Sequence, residues 1–223
     1  MPYRKTPIAV NEIYHVFNRS VAQQPIFVTS RNYQRAIDVF SYYLYSNPSI
    51  RFSIYNHLPK EQKLSFLTDF TTTHEPLVEI LCYCLMPNHI HFLLKNLKEN
   101  GISTFMRKFQ DSYAKYFNTK FSRTGGLFQP MFKAVRIETD EQLIHVSRYI
   151  HLNPATAYLI EIEKLRYYPW SSYPYYVNGD SPIYLSKEQI LSFFKSPEDY
   201  EQFVLDQADY QRELDQVKHL ALE

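Results

Sequence analysis

Residues 77–95 read LVEILCYCLMPNHIHFLLK. Two apolar runs of strand length flank Met86-Pro87-Asn88, a tripeptide with the chemistry of a tight turn. The reading is a pair of antiparallel strands, Leu77–Leu85 and His89–Lys95. In the second strand the period of two puts His89 and His91 on one side, and Ile90 and Phe92 on the other. Working outward, Glu12–Asn18 alternates and is β-rich, so it is a further strand. Thr29-Ser30 caps a helix to about Tyr45, with Ala36, Val39, Phe40 and Tyr43 as its apolar face, and Asn47-Pro48 ends it. Ile50–Tyr55 fits either a short strand or a helix extension. Pro59–Phe70 reads as a short helix. Ser103 caps a long helix to about Phe121, Phe132–Ile137 is a strand, and Thr139 caps a helix that Asn153-Pro154 closes near Leu152. Helices follow near Lys187–Phe194 and Glu198–Leu220. The order strand, helix, paired strands, helix, strand, helix implies an α+β fold: a ferredoxin-like antiparallel sheet with helices on one or both faces.

Composition narrows the classes. The chain has 223 residues, with 20 Tyr, 16 Phe, 13 Pro and 4 Gly. Scarce glycine and the absence of GxGxxG or GxxxxGK[ST] argue against a phosphate-cradling loop. No apolar run is long enough for a transmembrane helix, and residues 1–17 lack the apolar core of a secretory signal, so no membrane partner is expected. Cys82 and Cys84 are too close for an ordinary disulfide or a zinc pair and read as buried thiols in a reducing cytoplasm.

The formal net charge is +1, from 24 basic and 23 acidic residues. That near-zero total conceals two halves. Residues 180–223 hold 4 basic and 10 acidic residues, while residues 1–179 hold 20 and 13. The turn-rich Asn178-Gly179-Asp180-Ser181-Pro182 marks the change. The expected organisation is a domain over 1–179 and an acidic helical extension over 180–223. Within the basic part, Lys95–Arg136 carries nine cations and two carboxylates, either an ordinary solvated helix face or a surface for an anion.

Two constellations carry chemistry. Side by side on a strand, His89 and His91 suit a divalent metal, although an H-x-H pair also occurs as two ordinary satisfied histidines. In RYIHLNPATA, residues 148–157, Tyr149 and Asn153 share a helix face, with His145 one turn earlier. A helix beside the sheet would bring a phenol and an amide oxygen toward the two imidazoles, as a His-His-Asn site with a nucleophile next to it. Packing is the commoner use of a tyrosine in a chain so rich in them. His151 points elsewhere and reads as structural or substrate-contacting.

MPNHIH followed by RYIHLNPATA resembles the HUH single-tyrosine transposases of the insertion-sequence-200-like type. It is most similar to their REP-associated branch. IYHVFNRSV, GGLFQPMFKAVRI and YYPWSSYPYY support the likeness, which spans about residues 10–176. The resemblance implies His89 and His91 as the metal-binding pair, Tyr149 as the catalytic tyrosine and Asn153 as third ligand. The family often has Gln at that last position, and here Asn stands before a proline. The implied activity is metal-dependent cleavage and rejoining of single-stranded DNA through a 5′-phosphotyrosine, with Mg²⁺ or Mn²⁺ as cofactor. The implied partner is single-stranded or hairpin DNA, in a prokaryotic cytoplasm at the nucleoid. Arg107, Lys108, Lys115, Lys133 and Arg136 are then candidates for phosphate contacts. Tyr113, Tyr116 and Phe128 are candidates for base stacking, though packing is the commoner role of each. Both a monomer and a homodimer stay open, because some relatives donate the tyrosine helix across a dimer interface. Two other readings keep part of the pattern: a catalytically idle hairpin-binding regulator, and a metal-dependent hydrolase that uses water.

Overall fold

The computed structural model describes residues 7–207. Strand β1 (Ile13–Arg19) is followed by helices α1 (Ser30–Tyr42), α2 (Phe52–His57) and α3 (Lys60–Thr73). The pair β2 (Val78–Met86) and β3 (His89–Asn96) comes next, then α4 (Gly101–Lys120), β4 (Lys133–Ile137) and α5 (Asp140–Thr156). Short helices α6 (Tyr173–Val177), α7 (Glu188–Leu191) and α8 (Pro197–Leu205) complete the described chain. The sheet order is β2-β3-β1-β4, and every neighbouring pair is antiparallel. This is the ferredoxin-like arrangement expected from the order of elements.

The sheet is covered on both faces. Phe92 packs its ring on Phe40 of α1 and on Phe105 and Phe109 of α4. The even-numbered residues of β3 therefore look toward α1 and α4. His91, one residue away, looks toward α5, where it meets Tyr149. Because Phe17 lies opposite His91 in register, the face of β1 that carries His15 and Phe17 is the α5 face as well.

Several expected boundaries move for tertiary reasons. Residues 52–57 settle as helix α2 rather than strand. Helix α4 begins at Gly101 rather than after Ser103, with Asn100 in the left-handed region at φ 57°. The Ile102 N–H donates to Asn96 Oδ1, and a side chain at Gly101 would collide with the Leu77 carbonyl. Helix α5 starts as read, with Thr139 Oγ1 accepting from the Gln142 N–H. It does not stop at Asn153-Pro154 but runs on to Thr156 with Pro154 inside its last turn. The cost of a proline there is small, because only a turn follows it and Ala157 then closes the helix on the Asn153 carbonyl.

Tyrosine abundance has a structural explanation. Tyr42, Tyr113, Tyr168 and Tyr176 bury their rings and donate their hydroxyls to the carbonyls of Ile50, Ile26, Leu85 and Leu81. Each ring supplies apolar area while its polar tip finds a backbone partner. Cys82 and Cys84 are free and buried.

Residues of the expected extension pack onto the body. Tyr184 contacts the Phe40 ring, and the Ser186 N–H donates to Ile80 O. The buried Lys187 donates to the carbonyls of Tyr175 and Gly179, 2.6 Å each. Helix α8 buries Tyr200 and Val204. The helix read to Leu220 ends at Leu205, and positions 208–223 lie outside the described residues.

Candidate active site

His89, His91 and Tyr149 come together, joined by His15. The rings of His89 and His91 stand 5.0 Å apart, edge to face. Tyr149 sets its ring edge-on to His91 at 5.7 Å and to His15 at 5.8 Å. His15 Nε2 and His91 Nδ1 share a hydrogen bond of 2.9 Å. Phe17 stacks on His91 from the neighbouring strand at 5.6 Å. The rigid sheet supplies the imidazoles, and one helix laid over it supplies the phenol.

The histidines are held neutral. Burial pushes His15 down to about 4. Burial, and then the charge of Arg19, pushes His89 down to about 4. His91 is lowered further by burial, with the charges of His89, His15 and Arg19 adding to it. A neutral imidazole has one nitrogen lone pair to offer a metal.

Hydrogen bonds decide which nitrogen that is. Asn88 Nδ2 donates to Gln23 O at 3.0 Å, which fixes its amide so that Oδ1 faces His89. His89 Nδ1 must then carry the proton of the 2.6 Å bond to Asn88 Oδ1. Nε2 of His89 is left as an acceptor. His91 Nδ1 is engaged with His15 Nε2 in a bond that either ring can donate, so Nε2 is the His91 nitrogen outside that bond. Orientation by an outer partner of this kind is the usual setting of metal-binding histidines. The donor set therefore fits a divalent cation held by two imidazoles.

Asn153 sits one turn on from Tyr149, and its Nδ2 donates to the Tyr149 carbonyl at 2.7 Å. That bond ties the amide to its own helix and leaves Oδ1 as the atom a cation would use. Among the described residues no group of three His, Cys, Asp or Glu side chains is arranged to hold a metal ion, and His15 meets His91 through a ring-to-ring hydrogen bond instead. His145 turns away, toward Glu141, Arg148 and the Phe203 ring. His151 is fully buried and bonds Tyr200 Oη and Ser172 Oγ, 2.7 Å each, so its place is structural.

The five candidate phosphate contacts are divided by the sheet. Lys133 pairs in register with Phe17, on the face of the histidines, and its Nζ lies 5.9 Å from the Phe17 ring centroid. Arg136 pairs with Tyr14 on the opposite face and is bound to Glu12 at 2.8 Å. Arg107, Lys108 and Lys115 lie on α4, behind the sheet. Tyr113 and Phe128 are buried, so they pack rather than stack on bases.

Two residues of this site escaped the sequence reading: His15 and Arg19. Arg19 stands opposite His89 in register and has no ion pair among the described residues. The alternation His15, Phe17, Arg19 along β1 was visible, but not that β3 is the strand beside it.

Residues 48–153 match the family model described as Transposase IS200 like. Over this stretch, 106 of 223 residues, the chain is similar to the IS200-like transposases, and the likeness supports a tyrosine transposase enzyme. No curated protein matches this chain in sequence. Among solved structures it is similar to a REP-associated tyrosine transposase bound to a REP hairpin, at 17% identity and a TM-score of 0.51. That match covers 83% of this chain and 91% of the other, and it shows a shared fold. A putative transposase from Deinococcus radiodurans R1 also matches, at 14% identity and a TM-score of 0.37, over 66% of this chain and 95% of the other.

Proposed function

We propose that this chain cleaves and rejoins single-stranded DNA beside a hairpin, with Tyr149 as the nucleophile. The observation that carries the reading is the meeting of Tyr149 with His91 and His15 on one face of the sheet. Tyr149 Oη attacks a backbone phosphorus in line. The bond from phosphorus to the 3′-oxygen breaks, a 5′-phosphotyrosine forms, and the phenolic proton leaves to balance the freed 3′-hydroxyl. A 3′-hydroxyl attacking the same phosphorus reverses the step, so bond energy is conserved and no nucleotide is consumed.

His89 and His91, through their Nε2 atoms, and Asn153, through Oδ1, would hold a Mg²⁺ or Mn²⁺ ion. Such an ion, when bound, polarises the phosphate oxygens and lowers the charge the nucleophile meets. The chain's own groups do the rest. Arg19 and Lys133 bind backbone phosphates at the edges of the site. Phe17 and the packed sheet hold the histidines in place. The tyrosine and histidines belong to one chain, which supports action in cis without an exchanged helix.

A DNA-binding regulator without chemistry is the second reading. It draws on Asn153, whose amide is bonded to the helix backbone. One experiment separates the two. Labelled single-stranded hairpin DNA is incubated with the protein and Mn²⁺ or Mg²⁺ and run on a denaturing gel. The expected result is a covalent adduct with the wild type and none with Tyr149→Phe, which keeps the ring and its packing. An adduct that persists in Tyr149→Phe refutes the tyrosine assignment; none with either protein favours the regulator.

A further inference from the structure

Each imidazole of the pair on β3 has one nitrogen tied to a neighbour. His89 Nδ1 donates to Asn88 Oδ1 at 2.6 Å, in the turn before the strand. His91 Nδ1 meets Nε2 of His15, on β1, at 2.9 Å. The two partners differ in what they dictate. A carboxamide oxygen only accepts, so Asn88 fixes the proton of His89. An imidazole nitrogen accepts or donates, so the bond between His15 and His91 can run in either direction.

One direction alone is compatible with a cation at His91. A neutral imidazole carries one proton and one nitrogen lone pair. If His15 Nε2 donates, His91 Nδ1 spends its lone pair on that bond, and Nε2 of His91 carries the proton. Nothing is then left for a ligand. If His91 Nδ1 donates, its Nε2 lone pair is open, and His15 keeps its own proton on Nδ1. A cation at His91 Nε2 therefore selects the second arrangement. That arrangement needs an acceptor at position 15, because a buried N–H left without one is costly.

Packing around His15 points the same way. In register, position 15 lies between Leu93 of β3 and Val135 of β4, apolar neighbours beside which an aliphatic side chain would fit. A histidine stands there instead. Its ring stacks on His91 at 5.2 Å and lies against Phe17 at 4.9 Å. Phe17 stacks on His91 too, at 5.6 Å. Both rings of β1 steady the His91 plane. Phe17 has no polar atom to offer, whereas His15 has.

We propose that His15 is a positioning residue for the metal site: its Nε2 accepts the hydrogen bond from His91 Nδ1 and so presents the His91 Nε2 lone pair to the cation. This rests on the reading of His89 and His91 as ligands and adds a third histidine that does not touch the ion. His15 does for His91 what Asn88 does for His89, so each ligand has one outer partner.

The test uses the full chain without DNA at pH 7.5, with Mn²⁺ binding followed by calorimetry. His15→Phe keeps a flat ring against Phe17, His91 and Tyr149 but has no acceptor. His15→Gln brings an amide oxygen near the place of Nε2. Affinity is expected to fall about 10- to 100-fold in His15→Phe and to stay within about threefold of wild type in His15→Gln. A second measurement needs no variant. With Zn²⁺ as a diamagnetic probe, long-range ¹H–¹⁵N NMR of the wild type reads which nitrogen of each ring carries the proton. The expected result is a proton on Nδ1 of both His91 and His15. A proton on His15 Nε2 in the loaded protein overturns the proposal, and so does His15→Phe binding Mn²⁺ as tightly as wild type. His15→Gln as weak as His15→Phe also overturns it, since the ring and not the acceptor would then be what the site needs. In each of these cases the two ligands stand. Wild type that binds neither ion defeats the ligands and the proposal together. The adduct gel reads Tyr149 independently: no adduct, with Mn²⁺ affinity lost in His15→Phe and kept in His15→Gln, defeats the cleavage reading and upholds His15.

Discussion

His151 offers a measurement in which the structure sets both sign and size. The ring is fully buried on α5 and both nitrogens are bonded, to Tyr200 Oη of α8 and Ser172 Oγ. Burial pushes its pKa from 6.5 down to about 3. The folded chain therefore refuses a proton that the unfolded chain accepts below about 6.5. Where the unfolded state binds more protons, stability rises with pH. The stabilisation is complete above pH 6.5 and is lost as the pH falls from there toward 3. At pH 5 the loss is 1.5 pH units at about 1.4 kcal/mol each, or about 2 kcal/mol. His151→Gln removes this titration while keeping a polar side chain. At pH 7.5 the variant is expected to be less stable by about 1–3 kcal/mol, the cost of two disturbed buried hydrogen bonds. At pH 5 the gap to wild type is expected to shrink by about 2 kcal/mol. Urea unfolding of both proteins from pH 7.5 to 5 reads the difference, in which the carboxylates and other histidines cancel. A gap that stays constant with pH would show that His151 titrates alike in the folded and unfolded chains, and would refute the argument.

Other predictions follow from single contacts. Asn88→Ala removes the group that fixes His89 and is expected to weaken Mn²⁺ binding about 10- to 100-fold by calorimetry; unchanged affinity would remove Asn88 from the site. Gly101→Ala forces a methyl group against the Leu77 carbonyl and Asn96 Oδ1. It is expected to cost about 1–3 kcal/mol in urea unfolding, and a cost below 0.5 kcal/mol would mean that the helix start shifts freely. Burial raises both thiols well above their ordinary range. Cys82 and Cys84 should thus resist a thiol reagent in the native protein and react only on unfolding; prompt native labelling would show that β2 opens.

Much of this architecture is legible in residues 77–95, because alternation around a Pro-Asn turn is local information. The paired strands and the side shared by His89 and His91 needed no distant partner. Whatever depended on a distant partner was not legible. Helix α4 begins at Gly101 because Asn96 Oδ1 accepts its next N–H and Leu77 crowds the glycine. Neither contact is written near Ser103. His15 and Arg19 became site residues only when β1 was placed against β3. The cations of 95–136 form one cluster in sequence, yet the sheet passes between Lys133 and the residues of α4. For Asn153, the helix period gave its face correctly but could not show that its amide nitrogen bonds the Tyr149 carbonyl.

The Tyr200–His151–Ser172 chain has a consequence for biosynthesis. Ser147 and His151, on either side of Tyr149 along α5, both bond the Tyr200 hydroxyl. That hydroxyl is translated about fifty residues after the tyrosine it helps to hold in place. The part of α5 around Tyr149 is therefore braced by a helix made after it, and a protein shortened before Pro197 lacks the hydroxyl that Ser147 and His151 both bond.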